Sequence, residues 1–315
     1  MTHFWNTIER PFYILAPMEA VTDVVFRQVI ASAAKPDIYF TEFTNATGWV
    51  NAGEKAVGGR LDKEDKEGPI VAQLWGSVPE DIEKLAKHCA GLGYHGIDIN
   101  MGCPDKSAIK SGGGAALIQN GELAKALIQA AKQSGLPVSV KTRLGFSRVE
   151  EYKKWLHFLL SQDIVALTIH LRTKSEMSKV PAHFEILTEI VALRDEVAPD
   201  TLIIANGDIN DREHGREVID TYGVDGIMIG RGVFHNPFGF EPEPRKHTRD
   251  ELLDLLHLHL DLYEKRGEKK RKYETLKRFY KIYIRDFDGA SELRHQLMQT
   301  KDVTEVRKIL SAQGL

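Results

Sequence analysis

Short runs of apolar residues recur along the chain, and longer segments whose apolar residues fall at helical spacing separate them. The runs are YILAP at 13–17, IYFTEF at 38–43, IVAQLW at 70–75, GIDIN at 96–100, PVSVK at 137–141, ALTIH at 166–170, LIIAN at 202–206 and GIMIG at 226–230. Eight strands alternating with helices predict a (β/α)8 TIM barrel of the α/β class. An open doubly wound sheet is the competitor, but it usually carries a glycine-rich turn after its first strand, and here that turn reads APMEAVTD.

Polar punctuation sharpens the boundaries. Ser77-Val-Pro-Glu80 has the pattern of a capping box opening a helix up to Ala90, and Thr248-Arg-Asp-Glu251 opens another over LLDLLHLHLDLY. Pro237, Pro242 and Pro244 mark a linker, after which everything from about 246 to the end reads as helix. The expected organisation is a barrel over residues 1–240 followed by a small C-terminal all-α helical-bundle domain over 241–315. A chain of 315 residues suits one barrel of about 250 residues plus an appendage.

Side chains two apart on a strand share a face, so parity assigns the polar residues near the strand ends. Gln73 goes with Val71 and Trp75, Asn100 with Asp98, Lys141 with Ser139, and His170 with Thr168, while Asn206 closes its strand. Singly, each is explained as a structural hydrogen-bonder. Together they surround the C-terminal edge, where barrel enzymes build their active sites. Lys141 weighs most, because an unpaired ammonium there is costly unless an anion meets it.

The last two strands are followed by Asn206-Gly207-Asp208-Ile209 and Gly230-Arg231-Gly232. Glycines at these loops let backbone N–H groups approach a phosphate, and Arg231 adds a charged donor. Asp208 has an alternative role as a helix N-cap. A phosphate there and a cation at Lys141 match the length of a flavin mononucleotide across the barrel mouth, with Lys141 stabilising the reduced ring's negative charge.

Composition narrows the setting. A hydrophobic content of 42%, a charged content of 28% and a net charge of −3 describe an ordinary globular protein. The two cysteines, Cys89 and Cys103, have neither zinc-site spacing nor the number for a disulfide scaffold, so a reducing cytoplasm is expected. No leader pattern or 18-residue apolar stretch is visible, so neither export nor membrane insertion is expected. Charge is instead concentrated locally: residues 265–285 hold ten basic residues against two acidic ones, a local charge of +8. Tyr273, Phe279, Tyr280 and Tyr283 interleave with them, which suits either contact with an RNA backbone and bases or a solvated helix face over an aromatic core.

Taken in order, APMEAVTDVVFR, VAQLWG, NMGCP, VKTRLG, TIHLRT, IANGDI and MIGRG closely resemble the bacterial tRNA dihydrouridine synthases across residues 16–232. The loop NMGCP with its downstream lysines and GAAL is the specific element, and the basic helical tail resembles that family's tRNA-binding domain. The resemblance implies FMN-dependent reduction of a tRNA uridine to 5,6-dihydrouridine with NADPH as reductant. It implies hydride delivery to C6 and proton donation to C5 from Cys103. It further implies FMN contacts from Pro17, Met18, Glu19, Gln73, Lys141, His170, Asn206, Gly207, Asp208, Gly230 and Arg231, and uracil contacts from Asn100 and Arg143.

Lys106, Lys110, Lys269, Lys270, Arg271 and Lys272 are the expected tRNA contacts, with a monomer the expected state and no metal. Glu19 departs from the small residue expected after APM, and Gly112-Gly113-Gly114 is richer in glycine than usual, which suggests a mobile loop. Lys106 and Lys110 would lower the Cys103 pKa if they faced it; facing RNA phosphate, they leave a protonated thiol available as an acid. Cys89, with Ile82 and Leu85 at i−7 and i−4, has the spacing of a core position. His257 and His259 lie two apart on a helix and point to different faces, which disfavours a shared ion. Two rivals stand beside this: a flavin barrel acting on a small molecule, of the dihydroorotate dehydrogenase or ene-reductase type, and a non-catalytic RNA-binding module. The first needs no basic tail; the second needs none of the strand-end chemistry.

Overall fold

The computed structural model describes residues 3–57, 59–267 and 271–315. Its strands are β1 (Phe12–Leu15), β2 (Ile38–Phe40), β3 (Ile70–Trp75), β4 (Gly96–Met101), β5 (Val138–Arg143), β6 (Ala166–His170), β7 (Leu202–Asn206) and β8 (Gly226–Ile229). All pair in parallel with their sequence neighbours, and Phe12–Leu15 pairs with Gly226–Ile229 to close the ring. The fold is the expected (β/α)8 barrel, with helices outside it and helices from Arg249 to Ala312. Among the described residues, no helix is long and apolar enough to cross a membrane.

Parity partitions the barrel into two cores. Phe12, Ile14, Ile38, Phe40, Val71, Ala166, Leu202, Ile204 and Met228 fill the interior, and the intervening residues face the helix layer. Trp5, from the short helix Phe4–Thr7, is 2% exposed and packs with this interior cluster, its ring centroid 6.0 Å from that of Phe12. Interior positions toward β3–β6 turn polar instead, at Gln73, Asp98, Ser139 and Thr168, all buried.

Two boundaries differ from the sequence expectation. The second strand stops at Phe40 because the Thr41 hydroxyl takes over as acceptor for the Gln73 N–H at 3.1 Å, and pairing resumes only at Thr44–Asn45. This interruption accompanies complete burial of Glu42. The helix Pro79–Gly91 has Val78, not Ser77, at its N-cap and no side-chain cap. Proline is best tolerated at the first helical position, so Pro79 sets the start one residue later than a capping box at Ser77 needs. The Thr248–Glu251 capping box does form.

The tail is fastened to the barrel by aromatic rings and by charge. Phe26 of the helix Val24–Ala33 has its ring 4.6 Å from Phe279 and 5.9 Å from His259, and Phe234 stacks on Phe279 at 5.9 Å. Phe279, Tyr280 and Tyr283 are buried, so these interleaved aromatics serve packing. His259, buried and held far toward its neutral form by desolvation, hydrogen-bonds Tyr283 Oη at 2.7 Å through Nδ1. The Arg271 guanidinium reaches the buried Glu42 carboxylate and lies 3.8 Å from Asp23.

Burial pushes the Glu42 carboxyl up to about 7 even with Arg271 beside it, so above that pH removing Arg271 leaves a buried charge uncompensated, a loss of about 3 kcal/mol or more. Arg271→Ala is therefore expected to lower stability by that amount in urea unfolding, whereas Arg271→Leu combined with Glu42→Leu recovers most of it. Equal stability of Arg271→Ala and the native chain is the contrary outcome.

Candidate active site

The C-terminal edge of the barrel carries two cavities, one lined by the Cys103 loop and the other by the ends and following loops of the later strands. The larger, about 560 Å³, is lined by Pro17, Met18, Lys141, His170, Asn206, Gly207, Asp208, Gly230 and Arg231, together with Ser178, Asn210 and His235. Sequence reasoning had singled out the first nine; the last three lie on loops that strand parity does not reach.

This cavity is cationic. Lys141 Nζ donates to Asn206 Oδ1 at 2.9 Å, and Asn206 Nδ2 donates to the Met228 carbonyl at 2.8 Å, which turns the amide oxygen toward the lysine. Burial first, and then Arg143, pull the Lys141 pKa down to about 8. His170 is driven well below its ordinary pKa by burial and by Lys141, Arg143, Arg172 and Arg231, so its imidazole is neutral near pH 7. Asp208 is the carboxylate that offsets these cations: it pairs with Arg172, and its Oδ1 lies 3.2 Å from Arg231. It is not the cap of the following helix, because Asp211 accepts from the His214 N–H and fills that place.

Arg172 is a member of the site that strand parity, stopped at His170, did not find. It sits two residues beyond His170 on the same face, and its Nη1 lies 3.1 Å from His170 Nε2. Gly207 adopts a φ of +118°, and a Cβ there would meet His170 Cδ2 at 3.0 Å, so a side chain would crowd the cavity wall.

The second cavity, about 360 Å³, is lined by Cys103 with Glu19, Phe43, Asn45, Arg60 and Trp75. Glu19 belongs to this side of the mouth, and its carboxylate pairs with Arg60. Phe43 closes the quoted run IYFTEF without having been singled out, and the sequence carried no signal for Arg60, which lies outside the quoted motifs. Cys103 is partly buried, and that burial raises its thiol pKa above the ordinary value; the Asp105 carboxylate raises it further, while the Asp105 backbone N–H and Arg143 oppose. Lys106 and Lys110 are exposed at the two ends of the short helix Lys106–Lys110, which Asp105 caps.

The backbone around Cys103 is tightly held. Asn100 Oδ1 accepts from the N–H groups of Gly102 at 3.1 Å and Cys103 at 2.9 Å. Asn100 Nδ2 donates to Gln73 Oε1 at 2.9 Å, and Gln73 Nε2 donates to Asp98 Oδ2 at 2.7 Å. Arg143 donates to the carbonyls of Gly102, Thr173 and Met177 at 2.8, 3.0 and 2.8 Å, tying this loop to the one after β6. Within the glycine run, Gly113 and Gly114 are closely packed here. Gly114 has a φ of +56°, and a Cβ on it would lie 2.7 Å from the Cys103 carbonyl oxygen.

Of the basic residues in the tail, Arg271 is turned to Glu42, Arg278 donates to the Ala20 carbonyl at 3.1 Å, and Lys272 is exposed. Lys269 and Lys270 lie outside the described residues.

The family model for dihydrouridine synthase (Dus) matches residues 14–314. The chain belongs to the dihydrouridine synthase family. It is 56% identical over 98% of its length, and 95% of the other chain, to the "Probable tRNA-dihydrouridine synthase 2" of Bacillus subtilis. It is 54% identical over the same shares to a "Probable tRNA-dihydrouridine synthase" of Staphylococcus epidermidis. A Staphylococcus aureus protein of that description is 53% identical over 98% of this chain and 94% of its own. The match to this dihydrouridine synthase family takes in both the cationic cavity and the Cys103 loop.

The two thiols of this dihydrouridine synthase chain differ sharply in access. Cys89 is fully buried and pushed up to about 12, whereas Cys103 lines a cavity. Iodoacetamide at about pH 8 is expected to label Cys103 and spare Cys89 in the native protein, as read by peptide mass spectrometry. Labelling of Cys89 at a comparable rate would contradict this placement.

Proposed function

We propose that the protein reduces a uridine of tRNA to 5,6-dihydrouridine with FMN and NADPH, Cys103 acting as the acid. The observation that carries this reading is the pairing of a raised-pKa thiol with a cationic cavity around the same barrel mouth. Family membership and the names of the relatives support the substrate.

The cavity residues fit a flavin mononucleotide. Arg231, Gly207 and Gly230 would meet its phosphate, while Lys141 and Asn206 would meet its ring. His170, neutral, can donate or accept a hydrogen bond without adding to the positive charge. Met18 lies against Gly230, where a Cβ would be 3.7 Å from its sulfur, and supplies an apolar wall. When bound, FMN recharged by NADPH supplies hydride to C6 of the uracil.

Electron density arriving at C6 leaves C5 basic, and a neutral thiol is the group that can protonate it. Burial favours the protonated form of Cys103. Asn100 and Arg143 hold the Cys103 loop through its backbone, and orienting the uracil ring is the part assigned to them by the family resemblance. Glu19, paired with Arg60, stands on the Cys103 side, and its part is to shape the wall around the base.

For tRNA, the exposed Lys106, Lys110 and Lys272 are the candidate phosphate contacts, with Lys269 and Lys270 adjoining in sequence. Arg271 is committed to Glu42 and acts through domain placement.

The deciding experiment is Cys103→Ala. NADPH oxidation coupled to flavin reduction is expected to persist, while dihydrouridine formation falls at least about 100-fold. Normal product formation would assign the acid elsewhere, and purified protein that takes up no FMN would remove the proposal. Strong weakening of tRNA binding with rising salt separates this reading from a small-molecule enzyme.

Lys141 supplies a second test through pH. Its charged form prevails below its pKa of about 8 and is lost above it. FMN affinity of the native protein is therefore expected to fall between about pH 7 and pH 9, and Lys141→Gln to bind more weakly with that fall flattened. Fluorescence titration measures both; the same pH slope in the variant would exclude Lys141 as its source.

A further inference from the structure

Beneath the mouth lies a carboxylate to which the proposed chemistry gives no part. Asp98 is fully buried; it accepts from Gln73 Nε2 at 2.7 Å and from the Ser139 hydroxyl at 2.7 Å. No cation lies within ion-pair distance of it among the described residues, and Lys141 acts on it only through space. Burial pushes its pKa up to about 6, so it is largely ionised near neutrality. A buried carboxylate without a salt bridge is held at a cost in stability, which directs attention to what its two hydrogen bonds do.

A side-chain amide can face either way, and its neighbours decide which end points where. The Gly102 and Cys103 N–H groups can only donate, so Asn100 must present Oδ1 to them and Nδ2 to Gln73. Gln73 must then accept with Oε1, which aims its Nε2 at Asp98. An ionised carboxylate can only accept, so Asp98 imposes the same orientation from the opposite end. The two ends agree, and a flip of either amide sets donor against donor at one of these contacts.

We propose that Asp98 is a positioning residue for the reduction: as the fixed acceptor for Gln73 it sets both amides and thereby holds the Cys103 backbone, and its thiol, at the barrel mouth. Its purpose rests on the reaction proposed above; the hydrogen-bond relay itself does not.

Two variants of the full-length protein separate orientation from charge. Asp98→Asn keeps an oxygen for Gln73 and can place its amine on the Ser139 oxygen, whereas Asp98→Leu has no acceptor at similar size. Hydrogen exchange at the Gly102 and Cys103 amides is measured alongside dihydrouridine formation. Asp98→Leu is expected to lose about tenfold in amide protection, with turnover falling in parallel, and Asp98→Asn to stay near the native protein in both. Native-like protection in Asp98→Leu overturns the proposal. Asp98→Asn losing as much as Asp98→Leu also overturns it, because charge and not acceptance is then what counts.

Should Asp98→Leu not fold, Asp98→Asn with Ser139→Ala takes its place. It lacks the hydroxyl that pins the new amide, and is expected to lose protection relative to Asp98→Asn alone; unchanged protection overturns the relay. Exchange is read without substrate, so a failure of the uridine reading and a failure of the relay give different results.

Discussion

Lys141 is a half-buried ammonium held against a neutral amide oxygen, and the rest of the site is arranged around that fact. Asn206 can offer that oxygen only because its own amine is fixed on the Met228 carbonyl, which in turn depends on the register between β7 and β8. The other cations nearby are better satisfied. Arg143 is spread over three backbone carbonyls and Arg172 is anchored on Asp208, so each has acceptors that the fold supplies. Among the described residues Lys141 has one neutral hydrogen-bond acceptor, Asn206 Oδ1, and the Asp98 carboxylate acts on it only through space. Burial first, and then the same crowd of positive groups, keep His170 neutral, so a hydrogen-bonding imidazole is obtained without a further charge.

Burial acts in opposite senses on the two functional groups and arrives at a compatible result. It pulls the Lys141 pKa down to about 8 and pushes the Cys103 thiol up. Near neutrality both groups therefore carry their proton: the lysine as a cation, the thiol as a neutral acid. Had Lys106 and Lys110 faced the sulfur, thiolate would have been favoured; instead both are exposed at the ends of their short helix. Arg143 reaches the Gly102 carbonyl next to Cys103, so its guanidinium fixes the loop, and its pull on the thiol pKa is smaller than that of burial.

Much of the barrel and of the cationic cavity was legible in the sequence because strand parity and strand ends are local properties. Lys141, His170 and Asn206 follow from counting by two along a short run, and the ring they form follows from the fold class. What was not legible depends on distant packing. Arg271 meets Glu42 across 229 positions of sequence, and a charge run says nothing of such a partner. The glycine run carries a further constraint of this kind: a Cβ on Gly114 would lie 2.7 Å from the Cys103 carbonyl oxygen, a close approach that local sequence does not announce. The capping box at Ser77 failed on a competing local rule, the preference of proline for the first helical position.

The tail's charges also act on the barrel. Ala20 sits in the left-handed region, at a φ of 56°, which is unfavourable for a residue with a Cβ. Its N–H donates to Glu42 at 2.6 Å, and its carbonyl accepts from Arg278 at 3.1 Å, while Glu42 itself is met by Arg271. Two guanidiniums of the tail thus brace one strained residue of the barrel. Immediately before that residue come Met18, lining the cationic cavity, and Glu19, lining the Cys103 cavity. A guanidinium already bonded to Glu42 or to the Ala20 carbonyl has fewer donors left for a phosphate. The basic run therefore divides by partner among the described residues: Arg271 and Arg278 hold Glu42 and the Ala20 carbonyl of the barrel, whereas Lys272 is exposed.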